Sequence, residues 1–150
     1  MIILYETVFS RVRNKINDPK ELQLEDEDSF SMYTERLHSV LGNIKLAKLF
    51  KSLSYDDNNA EISCVLKDIE FEDSINNEYV IELLTLGMLI EWLEPQVNSI
   101  LYHAPIIGGK EEKKLLDNHK NMIDRLNGLK IEFDKKIRDK GTRYNSYLIK

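Results

Sequence analysis

The strongest constraint on this chain is a run, residues 79–93, that is apolar around nearly the whole circumference of a helix. Tyr79, Val80, Leu83, Leu84, Leu86, Gly87, Met88, Ile90 and Leu93 leave only a narrow polar strip of Glu82, Thr85 and Glu91. Such a helix has no solvent face of its own, so it must sit at the centre with other elements packed around it. Interrupted by acids and well short of the roughly 20 apolar residues a bilayer requires, it is a buried helix and predicts no membrane span. Asn76 or Asn77 is placed to cap it. Gly87 costs roughly 1 kcal/mol against Ala inside a helix, which points to close approach by another helix. Pro95 either kinks the helix or opens a new one at its first turn. Beyond it, Val97, Ile100, Leu101 and Tyr102 carry the apolar face to Ala104-Pro105.

The C-terminal third is built differently. Ile107-Gly108-Gly109-Lys110 reads as a tight turn, and from Lys110 the apolar spacing becomes Leu115, His119, Met122, Leu126, Leu129, Phe133, then Lys136 or Ile137. Steps alternating between four and three make a coiled-coil seam, flanked here by charges of mixed sign. Gly128 is a weak point in that helix, and Gly141 is expected to end it. Residues 142–150 hold Tyr144, Tyr147, Leu148 and Ile149, too apolar a tail to be idle in water. The expected organisation is one helical domain over residues 1–141 and a docking tail over 142–150. The expected fold class is all-α, a helical bundle with a long C-terminal helical hairpin and at most one short strand or hairpin around residues 62–71.

The N-terminal half fits around that core. Apolar positions 4, 5, 8, 9, 12 and 16 predict an amphipathic helix over residues 2–16, ended by Asp18-Pro19. Asp28 or Ser29 can cap a second helix carrying Phe30, Tyr33, Leu37, Val40 and Leu41. Gly42-Asn43 breaks or bends it, and Ile44, Leu46, Ala47, Leu49, Phe50 and Leu53 continue the apolar face. After a polar turn at residues 54–59, the Ile/Val/Leu-rich stretch 62–71 is the one place where a strand is plausible.

Charge is unevenly spread. Residues 1–109 hold 9 Lys+Arg against 19 Asp+Glu, a balance of −10, while residues 110–150 hold 12 against 7, a balance of +5. An asymmetry of this kind suits an oriented contact, either head-to-tail between identical subunits or with an acidic partner. The single Cys64 can form no internal bridge and sits in an apolar stretch, which fits a core residue in a reducing compartment. Met1-Ile2-Ile3-Leu4-Tyr5-Glu6 is too short an apolar run for a signal peptide, so a soluble chain made in the cytoplasm is expected.

No residue set commits the chain to catalysis. Gly108-Gly109-Lys110 lacks the earlier Gly and following Ser or Thr of a phosphate-binding loop, and Glu111 and Glu112 would repel a phosphate. Asp26, Glu27 and Asp28, and the pair Asp56 and Asp57, read as solvated loop charge with no His at ligand spacing. Glu91 and Glu94 fall three apart around Trp92, so both can lie near one helix face and a general acid/base pair is conceivable, but nothing supplies a nucleophile or a substrate pocket. None of His38, His103 and His119 comes with a recognisable partner motif, and His119 on the seam reads as a packed or interface residue. The bases Lys130, Lys135, Lys136, Arg138, Lys140 and Arg143 could meet nucleic-acid phosphates, with Tyr144 and Tyr147 stacking. Interleaved Glu132, Asp134 and Asp139, with a pI near 5.3, argue against that use. No cofactor and no metal are expected, and no enzyme activity.

The strings Trp92-Leu93-Glu94-Pro95-Gln96-Val97-Asn98-Ser99 and Gly108-Gly109-Lys110-Glu111-Glu112-Lys113, with a charged helix closing on Arg143-Tyr144-Asn145-Ser146-Tyr147, resemble a known group. So do Tyr5-Glu6-Thr7-Val8-Phe9-Ser10-Arg11-Val12 and Lys15-Ile16-Asn17-Asp18-Pro19. The resemblance is to head–tail connector (neck adaptor) structural proteins of phages that infect Gram-positive bacteria. It covers most of the chain but not residues 30–73, and its motifs are structural strings, not catalytic signatures. It implies a helical subunit, made in the host bacterial cytoplasm, that forms a homo-oligomeric ring of about twelve copies in the virion neck. The partners implied are the portal protein, the next neck or tail-completion protein, and DNA passing through the channel. Arg138, Arg143, Tyr144, Asn145, Tyr147 and Leu148 would then face the portal or a neighbouring subunit, with Trp92, Pro95, Gly108 and Gly109 shaping core and turn. The reading set against it is a small helical nucleic-acid-binding regulator using the basic C-terminal helix.

Overall fold

A computed structural model describes residues 1–16, 21, 24–67 and 71–145, with side chains described except at 101–107 and 141–145. In chain order the elements are β1 (Ile2–Leu4), α1 (Tyr5–Lys15), α2 (Asp26–Leu41), α3 (Ile44–Ala47), β2 (Phe50–Asp56), β3 (Glu61–Leu66), α4 (Asp73–Ile107) and α5 (Gly109–Asn145). The chain is mainly helical, with five helices among the described residues and one antiparallel three-stranded sheet in the order β1-β3-β2. Ile2, Ile3 and Leu4 pair with Ser63, Ile62 and Glu61, and β2 pairs with β3 across a short turn.

α4 is the centre of the molecule, as its composition requires. Val80, Leu83, Leu84, Leu86, Met88, Leu89 and Leu93 are at most 2% exposed, and α1, α2 and α5 all pack on it. Each such side chain stabilises the fold by roughly 1.5–3 kcal/mol when removed from water. The polar strip is narrower still, because Thr85 is fully buried and its hydroxyl donates to the Ile81 carbonyl at 2.7 Å. α1 contributes Tyr5, Val8, Phe9 and Val12, and Phe9 meets Phe30 and Tyr33 of α2 at ring distances of 5.4 Å. The sheet turns Ile3, Ile62, Cys64 and Leu66 inward.

Gly87 does what its cost suggested. A Cβ there would lie 2.6 Å from Val40 Cγ1 and 3.3 Å from Phe133 Cε2, so both α2 and α5 press on the bare backbone. α5 lies antiparallel to α4: the Tyr79 hydroxyl donates to the Lys136 carbonyl at 2.9 Å, and His119 Nε2 meets the Val97 carbonyl at 3.1 Å. The seam read at four-three spacing is the packed side of α5, with His119, Leu126 and Phe133 buried and Leu115, Met122, Leu129, Lys136 and Ile137 half-buried. Gly108 and Gly109 both carry φ near +65°, and Gly108 is the one non-helical residue between the two long helices. Consecutive left-handed residues are cheap only for glycine.

Several expectations are corrected. The fold is not all-α: Ile2–Leu4 starts as a strand, since its β-branched run pairs with β3 and buries Ile3, and the helix begins only at Tyr5. α1 closes at Lys15, while Asp18-Pro19 lies outside the described residues. The helix expected over residues 44–53 is one turn, Ile44–Ala47, followed by strand β2. Asn43 starts that turn by accepting from the Lys45 and Leu46 N–H groups, and Asp56 accepts from the Asn58 and Asn59 N–H groups to make the β2–β3 turn. The strand placed around 62–71 is Glu61–Leu66, and residues 68–70 lie outside the described residues. α2 starts at Asp26, so neither Asp28 nor Ser29 caps it; α4 starts at Asp73, so Asn76 and Asn77 lie inside its first turns. Pro95 opens no new helix but falls within α4, and Gly141 does not end α5, which runs to Asn145.

Candidate functional site

A groove is left where α2, α4 and α5 meet. Close contact at Gly87 draws the three helices together, and just beyond it α4 presents Ile90, Glu91 and Glu94. The end of α2 and its following turn add Ser39, Val40 and Asn43, and α5 adds Lys130, Phe133 and Asp134, around a cavity of about 260 Å³. The Glu91–Glu94 pair, three apart in sequence, does converge on one space. Burial holds the Glu91 carboxyl above its ordinary range and the neighbouring Glu94 charge adds to that, while Arg36 pulls the other way. Lys130 reaches Glu94 at 3.5 Å and Lys45 reaches Asp134 at 3.9 Å, both well exposed and worth little. Arg36 Nη2 donates to Glu21 at 2.6 Å, whereas its Nη1 is buried without a hydrogen-bond partner among the described residues. The lining therefore offers a carboxyl raised by burial and a mixed set of charges. Among the described residues Ser39 is its one hydroxyl, and no histidine or cysteine lines the space.

A second polar constellation ties the β2–β3 turn to the helices. Tyr5 donates to Asp57 Oδ1 at 2.6 Å, His38 Nε2 meets the same oxygen at 2.9 Å, and the His38 ring lies 4.6 Å from that of Tyr55. The Tyr5 bond, then the His38 bond, hold the Asp57 carboxyl below the usual carboxylate range. Burial pushes the Tyr5 phenol well above its ordinary value, and Asp57 adds to it. Asp57 read as solvated loop charge in the sequence; its carboxylate is a tether instead. His38 and Asp57 stand nineteen residues apart, and Tyr5 and Asp57 fifty-two, so no local motif joins them.

The other sequence candidates scatter. Trp92 is buried beneath the Arg125 guanidinium, 5.4 Å from its ring. Lys140 lies over the Tyr79 and Phe71 rings at 5.0 and 5.4 Å. Three bases of the C-terminal helix, Arg125, Lys130 and Lys140, thus face partners within the chain. Arg138 is exposed, the side chains of Arg143, Tyr144 and Asn145 lie outside the described residues, and so do Tyr147 and Leu148. The side chain of His103 lies outside them too, whereas His119 is packed; a carbonyl only accepts, so His119 donates to Val97. Cys64 is a core residue of β3, its thiol pushed up by burial.

The face of α5 turned away from the seam carries a feature that its four-three periodicity does not mark. Leu116, Lys120, Asp124, Asn127, Ile131 and Arg138 form a second strip along α5, all exposed, with Leu116 at 45% and Ile131 at 68%. Their spacing of three, four and seven keeps them on one side of the helix. Among the described residues no group of three His, Cys, Asp or Glu is placed to hold a metal ion, and no helix is long and apolar enough to cross a membrane. Compared with known proteins, the chain matches no family model, no curated protein and no solved structure.

Proposed function

We propose that this chain is a virion neck component of a bacteriophage, a head–tail connector subunit that assembles into a ring, docks on the portal protein and receives the next neck or tail-completion protein. The observation that carries this reading is the two-sided build of α5. Its seam is spent inside the subunit against α4, yet its outer strip still exposes Leu116 and Ile131 among charges of both signs. Apolar side chains left on the outer face of a long helix can serve as knobs for a helix of a neighbouring copy. In this reading α4 and α5 make a helical hairpin, core on one side and inter-subunit surface on the other. The acidic and basic parts of the chain orient neighbouring copies, and residues 142–150, with Arg138, form the docking arm. Arg125, Lys130 and Lys140 face internal partners, which favours a protein contact over a phosphate-binding stripe.

The test is assembly. Sedimentation and electron microscopy over a wide concentration range give closed rings, and a co-expressed portal protein co-purifies with the chain. The double change Leu116→Asp with Ile131→Asp abolishes the rings and leaves the helical circular dichroism intact. A strictly monomeric chain that binds duplex DNA with a steep salt dependence refutes the reading in favour of a nucleic-acid-binding regulator.

A further inference from the structure

The sheet uses one of its faces for the core and leaves the other in water. Alternation along the strands turns Ile3, Ile62, Cys64 and Leu66 inward. The solvated face of an antiparallel sheet is normally polar. Here it carries Ile2, Leu4 and Val65, which are 62%, 53% and 43% exposed. Ile2 and Val65 border one hollow, and Leu4 follows Ile2 on the same face of β1. Across the sheet Leu4 pairs with Glu61 and Glu61 with Asp56, so one row reads apolar, acid, acid. Like charges directly opposite each other destabilise a sheet. Asn58 and Asn59 donate to Asp56 within the turn, but among the described residues no ion pair neutralises Asp56 or Glu61. Such a face is complementary to an apolar side chain accompanied by a cation.

α5 offers that combination near its start. Leu116, 45% exposed, lies one turn from Lys113 on one side and one turn from Lys120 on the other, with Glu112 and Asp117 flanking the row. Both lysines are exposed, and among the described residues neither is ion-paired. The spacings match: neighbours one turn apart on a helix stand about 5–6 Å from each other, and direct cross-strand partners such as Leu4 and Glu61 about 5 Å. The net balance agrees, −10 over residues 1–109 and +5 over residues 110–150. One copy cannot join its own two surfaces. Asn76 of α4 lines the hollow beside Ile2 and Val65, whereas His119 of α5 meets Val97, and α4 runs about 31 Å from residue 76 to residue 97. We propose that α5 of one copy lays Leu116 on Ile2, Leu4 and Val65 of the next copy, with Lys113 and Lys120 against Glu61 and Asp56. Two different surfaces meet, so the contact is head-to-tail and repeats around a ring. The proposal rests on the connector reading and names the surface that receives the outer strip of α5.

The experiment is a cross-link in the full chain. The double variant Leu4→Cys with Leu116→Cys, mildly oxidised and run on a non-reducing denaturing gel, gives a ladder of covalent oligomers, while each single variant stays monomeric. Buried Cys64 does not compete, and the two new thiols stand too far apart to bridge within one copy. Leu4→Lys, at an exposed position, leaves circular dichroism and urea unfolding nearly unchanged and raises the concentration needed for rings about tenfold or more, because it sets a cation where the lysines of the neighbour land. Dimers from either single variant mean that like surfaces meet, and they overturn the proposal. Rings seen by sedimentation without a ladder, or rings indifferent to Leu4→Lys, overturn it too and leave the connector reading standing. A parent chain that forms no rings at any concentration removes both.

Discussion

Two glycines inside long helices should respond to the same substitution with opposite sign. Gly128 lies on α5 with nothing within 4 Å of where a Cβ would stand, so Gly128→Ala gains only helix propensity, about 1 kcal/mol. At Gly87 the new methyl would stand 2.6 and 3.0 Å from the two Val40 methyls and 3.3 Å from Phe133. Carbon atoms rest at about 3.5–4.0 Å, so the nearer contact falls short by roughly 1 Å. Val40 cannot easily turn away, because a β-branched side chain in a helix has one strongly favoured rotamer. Overpacking of this kind costs about 1–3 kcal/mol, which exceeds the propensity gain and leaves Gly87→Ala about 1 kcal/mol less stable. For a domain of this length each kcal/mol moves Tm by about 2–4 °C, so the two variants should separate by about 4–8 °C around the parent. Thermal and urea unfolding followed by circular dichroism measure this, with an unchanged m-value marking a pure stability effect. Adding Val40→Ala should cost less in the Gly87→Ala background than in the parent, since it opens the space that the methyl needs. A Gly87→Ala protein that gains stability as Gly128→Ala does would refute the close approach of α2 to α4.

Glu91→Gln should stabilise the chain at neutral pH and flatten its pH dependence. The folded state raises this carboxyl above its unfolded value, so its contribution to stability falls as pH rises through the folded pKa, and Gln removes the cost of the buried charge. Asp57 has the opposite sign: depressed in the fold, its contribution is present above the unfolded value near 3.9 and lost as pH falls through the folded one. Asp57→Asn therefore lowers stability at neutral pH and removes that part of the acid transition. Tyr5→Phe should cost about 1 kcal/mol by urea titration in the parent and less in the Asp57→Asn background. Gly108→Ala, at φ +68°, should lower stability by about 1–2 kcal/mol, read as a fall in Tm.

How far the sequence was legible depends on how local each signal is. The α4 core, the α5 seam and the Gly108-Gly109 turn depend on periodicity and on single residues with one conformational use, so they could be read directly. β2 could not: its Lys51, Ser52 and Ser54 are exposed, and only pairing with β3 makes the segment a strand. β1, three residues long, was hidden for the same reason, since Leu4 and Tyr5 also fit the helix period that starts beside them. In the groove, Glu91 and Glu94 were legible as a pair on one helix, while Ser39, Asn43 and Lys130 reach it from other elements. The Tyr5–Asp57–His38 contact joins three segments, and nothing at any one of them announces the others.

The distribution of burial also separates folding from assembly. α1, α2 and α5 enclose residues 80–93 of α4, so this most apolar stretch has little surface left to offer a neighbour. In the proposed ring, a contact between copies has to use surfaces that the core does not need, and the outer strip of α5 is such a surface. Truncating Leu84, 1% exposed, to Ala removes core packing and should cost about 2–5 kcal/mol. Charging the exposed Leu116 and Ile131 should leave unfolding nearly unchanged while ending the proposed assembly. A chain whose core helix was itself the contact would lose both together, because exposing α4 to a partner would require stripping the helices that stabilise it.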